Sequence, residues 1–165
     1  MAGIEKLAVV IDDVPAVRRQ LEEFLGRHGF KAYTFKRSDS AIQKAETQDL
    51  FRASEVRLLL SDLYDAALAS GAFDFAGTLK AVRRRVTMLA ELKKLLPNAE
   101  LVVFSLLPNL VARSTIPKDL VGPLFKDLET KCGVSEGELI PKYRTEDKLA
   151  TFNEIALGER IDKLK

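Results

Sequence analysis

The sequence predicts a doubly wound α/β fold, in which helices cover both faces of a five-stranded parallel sheet. Short apolar runs alternate along the chain with segments whose apolar residues recur at helical spacing, in the order strand then helix, five times over. The three clearest runs are Leu7–Ile11, Leu58–Leu60 and Leu101–Phe104, each short enough for a buried parallel strand. Polar side chains follow these runs at the strand ends, where open parallel sheets bind their ligands.

The bulk composition is that of an ordinary globular protein, and we expect residues 1–165 to form a single domain. The chain has 165 residues, of which 47% are hydrophobic and 30% charged, enough to bury a sizeable core. A net charge of +2 is too small to indicate a nucleic-acid partner, and no apolar run is long enough to span a bilayer. The single cysteine and the lack of a signal-peptide pattern favour the cytoplasm.

The first predicted helix follows the first strand directly. Pro15 suits the first turn of a helix, and Gly29 is placed to end it. The apolar face of this helix consists of Val17, Leu21, Phe24 and Leu25. The alternating segment Lys31–Phe35 then predicts a strand near the edge of the sheet.

A second helix is predicted between that strand and the next one. Ser38 or Asp39 can cap it, and it runs through Ala41 to about Phe51. The strand that follows ends on Asp62.

A long helix, roughly Gly77 to Leu96, is predicted after an extended connection over residues 64–75. Its apolar stripe consists of Phe75, Leu79, Val82, Val86, Leu89 and Leu96. This stripe predicts core packing, and its end could also pack on a second copy of the chain as a homodimer. The basic residues of the other side are Lys80, Arg83, Arg84, Arg85, Lys93 and Lys94. We interpret them as a solvated face rather than a nucleic-acid surface.

Two further strand–helix units complete the pattern. The fourth strand ends on Ser105, and the helix after it begins at Pro117 and ends at Gly133. The fifth strand is predicted over Glu138–Lys142, with a last helix from about Thr145. The apolar positions are Leu120, Leu124 and Leu128 in the first of these helices, and Leu149, Phe152, Ile155, Ala156, Ile161 and Leu164 in the second.

Five polar residues end these strands: Asp12 and Asp13 after the first, Asp62 after the third, Ser105 after the fourth and Lys142 after the fifth. Carboxylates brought together repel one another unless a cation intervenes, and three hard oxygen donors suit Mg²⁺. A carboxylate can attack phosphorus to give an acyl phosphate, while an ammonium and a hydroxyl bind the phosphoryl oxygens. Single aspartates at strand ends often only cap helices, but the ordered set predicts a site for phosphoryl transfer.

Several of these segments resemble the receiver domains of two-component response regulators. The segment Val10–Arg19 closely resembles the opening of that family, and Leu58–Leu63 resembles its phosphoacceptor strand. Val102–Ser105 looks like the hydroxyl strand, Gly137–Tyr143 like the lysine strand, and Thr145–Leu149 like the start of the final helix.

The resemblance implies a flavodoxin-like (βα)5 fold, a three-layer sandwich, and a role in phosphorelay signalling rather than as an enzyme. Asp62 would accept a phosphoryl group from a histidine kinase or phosphotransfer protein, with help from Ser105 and Lys142. The implied Mg²⁺ ligands are Asp12, Asp13, Asp62 and the backbone carbonyl of Tyr64. The chain would then signal by contact with a downstream protein.

Three alternatives stay open. Lys126 is closer than Lys142 to the family's usual spacing from Ser105, although its segment fits a helix better. The enlarged segment after Asp62, together with Leu106, also fits a pseudo-receiver that binds partners without phosphorylation. The same acids could instead serve a metal-dependent phosphohydrolase.

Overall fold

The computed structural model describes residues 5–48, 50–63, 75–105, 118–142 and 153–164, with the backbone alone for 75–79. The described strands are β1 (Lys6–Ile11), β2 (Phe30–Phe35), β3 (Val56–Asp62), β4 (Glu100–Ser105) and β5 (Ile140–Pro141). The described α-helices are α1 (Pro15–Arg27), α2 (Ser38–Thr47), α3 (Phe75–Leu95), α4 (Lys118–Cys132) and α5 (Glu154–Asp162).

The strands form one parallel sheet in the order β2-β1-β3-β4-β5. The sheet confirms the predicted fold class, a doubly wound α/β arrangement, and it confirms that β2 is an edge strand. Parallel neighbours need a crossover, and the described helices alternate with the strands along the chain as that topology requires. None of the helices in the described ranges is long and apolar enough to cross a membrane.

By contacts the chain divides into two compact units, the first of which comprises Met1–Ser61 and Met88–Leu101. In this unit β1 is central and fully buried at Ala8, Val9 and Val10. It pairs with β2 on one side and with β3 on the other. The expectation of a single domain stays a prediction.

Helix α1 is the part of this unit that the sequence predicts best. It begins at Pro15, and its four predicted apolar positions are all buried. Gly29 adopts a φ of +81° just after the helix, a left-handed conformation that glycine tolerates without strain.

Helix α2 ends at Thr47, so the predicted end near Phe51 is wrong. Gln48 adopts a left-handed φ of 53°, and this conformation ends the helix. Its N–H donates the last helical hydrogen bond, to the carbonyl oxygen of Lys44. Phe51 is instead a buried residue beyond the helix, where its ring contacts that of Tyr33.

The predicted cap of α2 is also wrong. Arg37 occupies the cap position, and no side chain caps the helix there. The carboxylate of Asp39 accepts a hydrogen bond from the neighbouring N–H of Ser40 at 2.8 Å and lies within the first turn.

Helix α3 follows the predicted boundaries to within two residues. Val82, Val86, Leu89 and Leu96 are buried as predicted, and Leu92 is a further core residue of the same stripe. The predicted core positions Phe75 and Leu79 lie outside the described side chains. The basic residues at positions 80, 83, 84 and 94 are exposed, in agreement with a solvated face.

The second unit comprises Asp62–Thr87 and Val102–Lys165, and it contains α4 and α5. In α4, Leu124 and Leu128 are buried as predicted, but Leu120 is 44% exposed. Val121 occupies the core position instead of Leu120. The buried face of the helix consists of Val121, Leu124, Phe125, Leu128 and Cys132.

Strand β5 is shorter than predicted, with only Ile140–Pro141 in the ladder. The preceding residues Glu136–Glu138 form a 3-10 turn, which a capping box with Ser135 stabilises. The N–H and the hydroxyl of Ser135 both donate to the Glu138 carboxylate and hold its pKa below the ordinary value. The turn therefore uses residues that the sequence pattern assigns to the strand.

The last helix is described from Glu154 onward, and its predicted start at Thr145 lies outside the described residues, as do Leu149 and Phe152. Leu157 and Ile161 form its buried face. Ile155 is 60% exposed, so its predicted place in the core is wrong.

Candidate functional site

The carboxyl ends of β1 and β3 bring three aspartates together. The ladder pairs Ile11 with Ser61, and the three acids follow these two residues directly. Asp12, Asp13 and Asp62 each offer one carboxylate oxygen within 4.8 Å of the others. Asp12 and Asp62 are buried, at 1% and 3% exposure, and Asp13 is partly buried. Because like charges this close in a buried place repel one another strongly, the donor set fits a divalent cation with oxygen ligands such as Mg²⁺.

Asp12 also supports the start of α1. Its Oδ1 atom accepts a hydrogen bond from the N–H of Val14 at 2.8 Å, and its carbonyl oxygen accepts one from Nη1 of Arg18 at 2.7 Å. The simple interpretation of a strand-end aspartate as a turn former therefore holds for this residue. A carboxylate has two oxygens, so this role is compatible with metal binding.

Lys142 lies at the Asp62 carboxylate. Its Nζ atom donates to Oδ2 of Asp62 at 3.0 Å, and the two side chains are 3% and 0% exposed, respectively. The same ammonium lies 5.6 Å from the centroid of the Phe104 ring, within the range of a cation–π interaction. The alternative lysine, Lys126, is exposed on α4.

Ser105 is fully buried at the end of β4, next to the strand that carries the lysine. The ladder pairs Ser105 with Pro141, and the carbonyl oxygen of Ser105 accepts a hydrogen bond from the N–H of Lys142 at 3.0 Å. The structure thus brings together the predicted hydroxyl, lysine and phosphoacceptor positions. The predicted carbonyl ligand, Tyr64, lies outside the described residues, as does Leu106.

Asn153 connects the lysine-bearing segment to α5, although it belongs to none of the sequence motifs of the site. Its Nδ2 donates to the carbonyl oxygen of Pro141 at 3.1 Å, and its N–H donates to that of Lys142 at 3.0 Å. Its Oδ1 accepts from the N–H of Ala156 at 3.3 Å and so caps α5. An asparagine before an acidic first turn is the sequence signal that could have identified this cap.

We expect Asn153→Ala to lower the free energy of unfolding by about 1–2 kcal/mol, because it removes a helix cap and a second hydrogen bond. Urea denaturation measures this change. Asn153→Asp keeps an acceptor for the Ala156 N–H but loses the donor to Pro141. Its stability should therefore fall between those of the unmodified protein and of Asn153→Ala. Equal stability of all three proteins would contradict this positioning role.

No family model and no curated protein sequence matches this chain. Its fold is similar to that of several solved structures over nearly the whole chain. A response regulator from Thermotoga maritima shares 16% identity and a TM-score of 0.51, with 98% of each chain covered. The response regulator TrrA from Thermotoga maritima, in complex with Mg²⁺-BeF, shares 19% identity and a TM-score of 0.51, with 97% of this chain and 99% of that one covered.

The BeF3-activated receiver domain of DrrB shares 12% identity and a TM-score of 0.52, with 98% of this chain and 97% of that one covered. At such low identities the likeness concerns the fold. The chain therefore has the (βα)5 fold of response-regulator receiver domains.

Proposed function

We propose that this chain is a receiver module of two-component signalling, which accepts a phosphoryl group on Asp62 with Mg²⁺ bound. The observation that carries the proposal is the buried contact of 3.0 Å between Lys142 and Asp62, beside the carboxylates of Asp12 and Asp13. An isolated buried ion pair is a weak source of stability, so a buried ammonium held against a cluster of acids points to function. The solved structures with this fold, one of them a complex with Mg²⁺-BeF, support the same proposal.

In the proposed reaction, a carboxylate oxygen of Asp62 attacks the phosphorus of a phosphohistidine or of a small acyl phosphate. The new O–P bond forms as the bond from phosphorus to the donor breaks, and the leaving group keeps the electron pair. The ammonium of Lys142 and the hydroxyl of Ser105 can bind phosphoryl oxygens, on which the negative charge is spread. A bound Mg²⁺, held by Asp12, Asp13 and Asp62, would neutralise the remaining charge.

The contacts around Lys142 can transmit a conformational change from Asp62 to the start of α5. Lys142 bonds to Asp62 through its side chain and to Ser105 and Asn153 through its backbone. A phosphoryl group that changes the position of the ammonium would therefore bias the strand end and the cap of α5. We propose that a downstream protein reads this change, and that a histidine kinase or phosphotransfer protein supplies the phosphoryl group.

Incubation with acetyl phosphate and Mg²⁺, followed by intact mass measurement, tests the proposal. We expect one phosphoryl group to be added in Mg²⁺ and none in EDTA. No mass change under either condition would contradict the proposal and favour a pseudo-receiver. Rapid turnover of a phosphomonoester without a lasting adduct would favour a phosphohydrolase.

We expect Asp13→Asn to weaken the stabilisation of the protein by Mg²⁺. Ligand at a hundredfold excess over its dissociation constant stabilises a folded protein by about 2.7 kcal/mol, and the variant should lose most of this gain. Asp13 is a better choice than Asp12, whose carboxylate also accepts a bond from the N–H of Val14. Thermal denaturation with and without Mg²⁺ measures the effect.

The matched control is Asp119→Asn, which makes the same chemical change at an exposed position in the first turn of α4. It should respond to Mg²⁺ as the unmodified protein does. The same response to Mg²⁺ in Asp13→Asn and in the control would contradict the proposed metal site.

A further inference from the structure

A cleft of about 520 Å³ lies at the amino-terminal ends of β1, β2 and β3. The acids of the candidate phosphoryl site lie at the opposite, carboxyl-terminal ends of β1 and β3. The cleft lies in the first compact unit, and the segment between α2 and β3 forms one of its walls. Its volume is within the range of pockets that bind ligands.

Positive charge dominates the rim of this cleft. Of the described residues, four basic ones line it, against two acidic ones, Glu5 and Glu55. The basic residues are Lys6, Lys31, Arg52 and Arg57. None of these four makes an ion pair with another described residue. Their charges are therefore available to a ligand of opposite sign.

A shift in the register between β1 and β3 lies at one of these cations. The ladder pairs Leu7 with Val56 and then Ala8 with Leu58, so Arg57 has no register partner on β1. Irregularities in a ladder redirect side chains, and the exposed Arg57 lines the cleft.

Four apolar or aromatic side chains share the lining of the cleft with the charged ones: Leu7, Tyr33, Leu50 and Phe51. Phe51 is buried, whereas Leu50 is 46% exposed, one of the few large hydrophobic side chains so exposed in the described part of the chain. The Tyr33 ring already contacts Phe51, with centroids 5.4 Å apart, and Lys31 Nζ lies 5.6 Å from its centroid. These neighbours compete with a nucleotide base for the partly buried tyrosine ring, which disfavours base stacking upon it.

We propose that this cleft binds a short acidic segment of a partner protein. The carboxylates of the segment lie against the basic rim, and one of its apolar side chains packs on Leu50. Complementary charge gives such a contact its specificity and its rate of association, while the exposed leucine supplies the apolar area. The interaction is independent of phosphoryl transfer at Asp62.

A fluorescein-labelled peptide, with one leucine flanked by glutamates, tests the proposal by fluorescence anisotropy. We expect saturable binding that weakens as salt is added, and no binding of the same peptide with glutamine in place of glutamate. Arg57→Glu should weaken binding roughly tenfold, because it replaces an attraction with a repulsion. Leu50→Ser should weaken it without changing the charge.

Arg84→Glu makes the same charge change at an exposed position of α3, outside the cleft, and should bind the peptide normally. Circular dichroism would establish that the variants remain folded. Failure of the acidic peptide to bind, equal binding of the glutamine peptide, or equal weakening by Arg84→Glu would each overturn the proposal. Tighter binding of ATP than of the peptide, lost in Arg57→Glu, would also overturn it in favour of a nucleotide ligand.

Discussion

Asp62→Asn should abolish transfer of a phosphoryl group from acetyl phosphate to this chain. The amide of asparagine is a far weaker nucleophile than a carboxylate, so we expect a loss of at least about a thousandfold in the labelling rate. The fold should survive the change, because the amide oxygen can still accept a hydrogen bond from Nζ of Lys142. Intact mass spectrometry over a time course measures the rate.

Asp119→Asn again serves as the matched control, since it removes one exposed carboxylate from another part of the chain. Its labelling should equal that of the unmodified protein. Undiminished labelling of Asp62→Asn would mean that another residue is the acceptor, and the proposed role of Asp62 would be wrong.

Lys142→Met should be the most destabilising substitution at the site. Methionine fills the space of the aliphatic stem but removes the ammonium, and it leaves a fully buried carboxylate on Asp62 without this charge partner. Breaking a buried ion pair by removal of one partner typically lowers the free energy of unfolding by about 3–5 kcal/mol. Urea denaturation in EDTA measures the loss.

The charge balance of the site makes this prediction specific. Loss of the ammonium removes one positive charge that offsets the repulsion among the carboxylates of Asp12, Asp13 and Asp62, so added Mg²⁺ should stabilise the variant more than the unmodified protein. Lys126→Met is the control, because Lys126 is exposed on α4 and its loss should change stability by less than about 0.5 kcal/mol. Equal effects of the two lysine substitutions would contradict the special position of Lys142.

Elements with strong local signals could be predicted from the sequence. Helix α1 combines a proline in its first turn, an apolar face at helical spacing and a glycine with positive φ after its end. Each of these signals depends only on residues that are close together in the sequence. The buried apolar face of the helix agrees with this local preference, so the helix could be predicted without knowledge of the tertiary structure. Strand β1 is equally clear, because a continuous aliphatic run needs burial on both faces.

Boundaries that depend on a single backbone conformation could not be predicted in this way. Helix α2 ends because Gln48 adopts a left-handed conformation, for which glutamine has no marked preference. Strand β5 loses its first residues to the 3-10 turn, in which Glu138 bonds to Ser135. Periodicity also fails for Ile155, since α5 turns a different face inward.

The candidate site was predictable in outline because parallel strands end at one edge of their sheet. That rule predicts that the acids at the ends of β1 and β3 meet, and that the ends of β4 and β5 are neighbours. The bonds from Asn153 to Pro141 and Lys142 join the end of β5 to a residue farther along the chain, and the contact between Lys142 and Phe104 depends on side-chain conformation. Local sequence signals indicate the helix cap at Asn153, but they do not predict these contacts between segments.

A Mg²⁺ titration followed by amide NMR tests the central claim, that acids from two strands form one metal-binding phosphoacceptor site. We predict that the amide signals of Asp12, Asp13 and Asp62 shift together and saturate with one shared dissociation constant. Absence of saturation, or separate constants for the two strand ends, would contradict the claim.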